Sequence, residues 1–256
     1  PSVEPIAGAA LDLAWVPAAP DGRPGFWFGR EEITMRQWYA FLQDPVTRAE
    51  MDAALPAIET GGLQRIPYRP ATTTRQSDTL ITAEFTVDGQ RLKDFVLPPA
   101  LAELPVTGIT RPEAQAFCAW LSRRSGRAIR LPTAAEWRRA ASGSDPARRY
   151  PWGPTYPAGA DLAYHHDRHG PAAVADSGLD RGPYGHRDLA GNVREWLADD
   201  PPGPFDAQVA GGSWASGTLD HFRCDQTEAL PADSASQQIG FRVVVESGED
   251  EHPTEP

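Results

Sequence analysis

From residue 144 to residue 242 the sequence carries no helical periodicity; glycines and aromatic residues punctuate it instead. An irregular stretch of about 100 residues is foreign to a compact domain held by a plain core alone. A bound metal or a disulfide is therefore the expected brace. Ahead of this stretch the helix signals are legible. Thr34 precedes Trp38, Phe41 and Leu42, at the spacing of a buried stripe, and the pattern stops before Pro45. Thr110-Arg111-Pro112-Glu113 and Thr133-Ala134-Ala135-Glu136 are capping boxes. The first opens a helix with Ala114, Phe117 and Leu121 inward that ends at Gly126, and the second opens one that ends at Gly143. Residues 25–29 read as a short aromatic strand. Residues 82–87 and 90–97 flank Asp88-Gly89 as a β-hairpin. The expected class is α+β: loop-rich, with two or three helices and short antiparallel strands. Residues 1–244 form one domain, 46–100 are its least regular part, and 245–256 are an acidic tail expected to be disordered.

Composition narrows the partners. The 256 residues carry a net charge of −11, which argues against a nucleic-acid footprint and against docking on anionic lipid. No apolar run approaches the ~18 residues of a membrane span, so no membrane insertion is expected. The chain starts at Pro1 without methionine and shows no leader, as expected of a domain of a larger protein. Cys118 and Cys224 fit neither a zinc nor a redox spacing, and stand as two buried thiols or one long-range disulfide. His165-His166-Asp167-Arg168-His169 offers an H-x₃-H pair without a predicted helix or an adjacent further ligand, and reads as a surface loop. Ser216 and Ser213 near His221 can be written as nucleophile and base. Asp220, Glu195 and Asp225 are the other acid–base candidates of that region.

Four segments are distinctive together: Leu131-Pro132-Thr133-Ala134-Ala135-Glu136-Trp137, Tyr150-Pro151-Trp152-Gly153, Gly191-Asn192-Val193-Arg194-Glu195-Trp196 and Gly211-Gly212-Ser213-Trp214. The chain then closes with Gln238-Ile239-Gly240-Phe241-Arg242. In this order they resemble the formylglycine-generating enzyme (sulfatase-modifying factor) family, whose fold is a variant of the C-type lectin fold. The resemblance spans roughly residues 13–244, and 46–100 look like an insertion. It implies a Cys118–Cys224 disulfide, worth ~4–5 kcal/mol on a chain-entropy model, and with it an oxidising, extracytoplasmic location. It implies a calcium ion held by the side chains of Asp188 and Glu195 and the backbone oxygens of Gly191 and Val193. A second calcium site, at Asp161, Leu162 and Asp167, is shortened here.

The family's oxidase binds Cu(I) through two cysteines shortly after the Gly-Gly-Ser segment. The matching positions are Ser216 and Leu219, and neither side chain can hold a soft cuprous ion. No copper and no formylglycine generation are expected. A family active-site aromatic is Arg194 here, and the three-histidine iron set of the ergothioneine-type branch is missing. The resemblance thus implies a groove of Arg194, Trp196, Ser213, Trp214, Ser216, His221 and Arg223. Its expected role is that of a non-catalytic ligand-binding or sensing module for a small molecule or a protein. The alternatives are an enzyme of altered chemistry, as in pyoverdine-type siderophore maturation, a retroelement-diversified binding protein, or a structural domain with Trp152, Trp196 and Trp214 as core.

Overall fold

The computed structural model describes residues 10–47, 73–76, 79–82, 97, 99–156, 170–175 and 180–247. The helices begin where the sequence places them. α1 (Met35–Gln43) is capped by Thr34, α2 (Arg111–Ser125) by Thr110 and α3 (Ala134–Ser142) by Thr133. In each, the threonine hydroxyl accepts from the third backbone N–H, and Gln37, Glu113 or Glu136 reaches back to the threonine N–H. α2 stops at Gly126 because the chain turns left-handed there (φ 70°), a conformation glycine adopts without a Cβ penalty.

The strands are short. β1 (Leu13–Val16) pairs antiparallel with β2 (Phe26–Gly29), and β5 (Ile129–Arg130) lies at the far edge of the same sheet. The last strand, β10 (Val244–Val245), inserts between β2 and β5 and ties the two ends of the chain together. A second sheet has the order β8 (Thr227–Leu230), β7 (Ala207–Ala210), β6 (Arg194–Trp196) and β9 (Ile239–Gly240). There β6 pairs parallel with β9, in register Arg194 to Ile239 and Glu195 to Gly240. A separate pair, β3 (Thr73–Gln76) with β4 (Thr79–Thr82), lies in the region read as an insertion. The hairpin expected over 82–97 falls mostly outside the described residues.

Alternation along the terminal sheet splits the core. Trp27 and Val245 join a larger cluster with Trp38, Phe41, Phe117, Trp120 and Phe241, where Trp38 stacks on Phe117 with centroids 5.8 Å apart. Phe26, Phe28 and Val244 join a smaller cluster with Trp137, Leu189 and Leu197. The two cysteines fall on different sides of this division: Cys118, on α2, packs in the larger cluster and Cys224 in the smaller. Both are free. The disulfide implied by the resemblance is therefore not formed in this structure. Burial pushes the Cys224 thiol up to about 12, and that of Cys118 also well up.

The folded chain also runs past the expected boundary at residue 244. Val245 is buried, the Glu246 N–H donates to the Ala128 carbonyl (3.0 Å), and the Glu246 carboxylate pairs with Arg130 (2.9 Å). No helix among the described residues is long and apolar enough to cross a membrane.

Candidate functional site

The loop that enters β6 is built around buried charge. Asp188 and Asn192 both sit at positive φ (55° and 57°), so the backbone kinks twice within five residues. Asp180 braces the bend, its Oδ2 accepting from the N–H groups of Ala190 (2.7 Å) and Gly191 (3.1 Å). Asn192 is a hub. Its Oδ1 accepts from the Ala172 N–H (2.9 Å), its Nδ2 donates to Glu32 (3.4 Å), and its carbonyl accepts from the Trp214 N–H (2.8 Å). Asp188 Oδ2 accepts from the Ala175 N–H (2.8 Å).

At the base of the loop Glu195 meets Arg242. The two are 1% and 0% exposed and are joined by parallel bonds of 2.7 Å from Nε and Nη2. Trp137 Nε1 donates to the same carboxylate (2.8 Å). Arg242 further donates to the carbonyls of Gly29, Arg30, Arg187 and Asp188, stitching β2 to the loop. The closing Gly-Phe-Arg segment is therefore a structural clasp.

The charges in this region do not balance. Glu32, Asp180, Asp188 and Glu195 are all buried, with Arg242 the one buried arginine among the described residues. Glu32 Oε1 and Asp180 Oδ1 have no hydrogen-bond partner. Burial pushes Glu32 far up and Asp180 to about 7, and the nearby Asp188 charge adds to both. Glu195 is raised by burial too, with Arg242 opposing. A divalent cation would relieve this excess, because buried carboxylates without counter-charge are costly. Of the donors the resemblance implies, Asp188, Gly191 and Val193 lie on the kinked loop, whereas Glu195 lies on β6 with both carboxylate oxygens engaged by Arg242 and Trp137. Among the described residues no three acids, histidines or cysteines cluster as a metal site. Asp161, Leu162 and Asp167, like the histidines of 165–169, lie outside the described residues.

The groove residues divide. Trp196 is fully buried and its Nε1 donates to the Ile109 carbonyl (3.0 Å), so it is core and not groove. Ser213 and Ser216 are also buried, and they serve each other. Ser216 Oγ accepts from the Ser213 N–H (2.9 Å), and Ser213 Oγ donates to Gln238 Oε1 (3.0 Å). Neither serine is hydrogen-bonded to His221, which is exposed on a 3₁₀ turn (Leu219–Phe222) beside exposed Asp220. The nucleophile–base pairing is not assembled. Gly212 lies where the loop passes over this network: a Cβ there would sit 2.6 Å from the Ala190 carbonyl and collide with the Phe222 ring.

What remains at the surface is Arg194, Trp214 and Arg223, each half-buried. Arg194 pairs with Glu228, while its Nε is buried without a partner. Trp214 Nε1 donates to the Gln237 carbonyl (3.1 Å), and Arg223 pairs with Asp225 (2.7 Å). Such a surface presents a fixed guanidinium beside an indole face, the side-chain types enriched at binding hot spots. Among the described residues no acid–base or thiol couple is assembled on it.

The sequence matches the sulfatase-modifying factor enzyme 1-like domain over residues 7–247. The chain belongs to that family. It is 35% identical over 164 residues to the mouse inactive C-alpha-formylglycine-generating enzyme 2, covering 57% of this chain and 50% of the mouse protein. It is 30% identical over 202 residues to hercynine oxygenase of Mycolicibacterium thermoresistibile, covering 73% of this chain and 40% of that one. The chain thus spans half or less of the length of these curated relatives. In three dimensions it resembles Treponema denticola variable protein 1 (TM-score 0.62, 16% identity), covering 96% of this chain and 99% of that one. The architecture is the family's variant of the C-type lectin fold.

Within this member of the family, sequence reasoning missed Glu32, Asp180, Glu228 and Gln238. Gln238 had a signal: it stands directly before the Ile239-Gly240 strand that pairs with β6. Glu32 and Asp180 had none, since each is a lone acid in an unpatterned segment.

Proposed function

We propose that this domain is a non-catalytic, calcium-braced ligand-binding module, whose groove is carried by Arg194 and Trp214. One observation carries the reading. At the positions where the family's oxidase holds its two copper thiolates stand Ser216, its hydroxyl turned inward to the Ser213 N–H, and Leu219, while both cysteines are buried in the core. A hydroxyl and an isobutyl group cannot ligate Cu(I), and deeply buried thiols are poor nucleophiles and ligands. A mouse relative named as inactive is consistent with a family that keeps the frame and discards the chemistry. The calcium site implied by the resemblance is Asp188, Gly191, Val193 and Glu195; with Glu195 already held by Arg242, the Asp188 carboxylate and the loop carbonyls are the donors left to carry the ion beneath the groove. The ligand is a small molecule or a peptide segment that presents a polar group to Arg194 and a flat face to Trp214.

Metal analysis by native mass spectrometry on protein purified without chelator tests the reading. The expected result is about one equivalent of calcium with no copper or iron, as one intact donor set makes one site. Stoichiometric copper or iron overturns the non-catalytic assignment. Absence of calcium, with a melting temperature indifferent to its addition, overturns the brace.

A further inference from the structure

A second cleft, of about 640 Å³, opens between α3, the 19–23 turn that joins β1 to β2, and the chain entering β8. That volume lies within the range of small-molecule sites. Its wall carries Arg23, Arg138 and Arg139 together with Asp21 and Asp225. The acids are already engaged. Asp21 pairs with Arg23 (2.6 Å) and Asp225 with Arg223 (2.7 Å). Among the described residues Arg138 and Arg139 form no ion pair with a carboxylate, although Glu136 and Asp21 stand near Arg139, in a chain whose net charge is −11.

α3 places both arginines over Ala134 and Ala135, one turn behind, and Ser142 continues the same face one turn on. Arg139 is held rigidly. Its Nη2 donates to the Pro24 carbonyl (2.6 Å), and its guanidinium lies 4.8 Å from the Phe26 ring centroid. Burial lowers the pKa of Arg139 and the neighbouring Arg23 charge adds to this, with Glu136, Tyr184 and Asp21 opposing. Arg138, the preceding position on the helix, is exposed and lines the same cleft. Pro20, Ala134 and Trp137 supply apolar wall.

We propose that this cleft binds a small organic anion, a carboxylate or phosphate on a flat apolar body, with Arg139 as the fixed anchor and Arg138 as the closing arm. The site is separate from the Arg194 groove and does not depend on the role proposed for it.

Isothermal titration of the full chain with benzoate, acetate and inorganic phosphate tests the inference. Benzoate or phosphate should bind in the millimolar range, as expected for so small a ligand (roughly 4 kcal/mol). Acetate should bind more weakly than benzoate. The tighter of benzoate and phosphate names the headgroup. Arg138→Glu, at an exposed helical position, should leave the melting temperature unchanged and weaken binding at least about tenfold by replacing attraction with repulsion. Arg139→Lys keeps the charge but loses the planar fork, and should weaken binding less than Arg138→Glu does. No binding of any probe overturns the proposal, as does binding that Arg138→Glu leaves unchanged.

Discussion

The clasp at Arg242 and the loop at 213–225 are built on opposite terms. In the clasp, buried polar groups are tied to partners distant in sequence: Glu195 to Arg242 and Trp137, Arg242 to four carbonyls, Asn192 to Ala172, Glu32 and Trp214. In the loop, the exposed polar groups bond mainly to near neighbours, as in Arg223 with Asp225, or stand in solvent, as His221 does. A buried charge cannot be altered without leaving its partner stranded, whereas an exposed one exchanges its partner for water at little cost. The same fold can therefore keep its clasp and change its loop.

The sharpest way to break this contrast is Arg242→Met. It leaves Glu195 buried without its guanidinium, beside Glu32 and Asp188, and should cost about 3–5 kcal/mol in chemical denaturation. A loss under about 1 kcal/mol would mean that the clasp is dispensable.

A smaller effect belongs to Glu136 at the start of α3. Its carboxylate accepts from Arg130 (2.7 and 2.8 Å) and from the Thr133 N–H (2.9 Å). Burial alone would raise its pKa, but these bonds outweigh burial and hold it below the ordinary glutamate value. A carboxylate with a depressed folded pKa stabilises above its unfolded value and loses that contribution as pH falls through the folded one. Glu136→Gln should therefore cost about 1 kcal/mol at neutral pH. The gap from the parent protein should close on acidification below pH 4.5, measured as paired urea midpoints across pH.

The smallest effect is expected in the loop. His221→Ala, at an exposed position whose side chain bonds neither serine, should move stability by less than about 0.5 kcal/mol. It should also leave the ligand affinity of the groove intact. A large loss of either would tie His221 to the site and erase the contrast between loop and clasp.

Much of the frame was legible. Thr34, Thr110 and Thr133 announced the helices because a capping box is a local device, complete within four residues. The ordered motifs from Leu131 to Arg242 announced the fold. The groove was legible only in part. Trp196 and Trp214 look alike in sequence because an indole serves a core and a binding surface equally well. The neighbours decide: Ile109 closes over the first, while the second stays half-open. Cys118, on α2, and Cys224, in the loop after the 3₁₀ turn, pack in separate clusters, a separation that nothing local to either residue announces.

The sequence by itself determined where helices start, where the regular pattern ends, and that no thiolate pair follows Gly212-Ser213. Those are properties of residues close together along the chain. Only the tertiary structure decided that Glu195 belongs to Arg242, that Glu32 and Asp180 join the same buried acidic group, and that two arginines of α3 line one cleft with the 19–23 turn. These pairings join residues tens to hundreds of positions apart, as in the 160 between Glu32 and Asn192. Their strength comes from shared burial, which exists only once the sheets have closed.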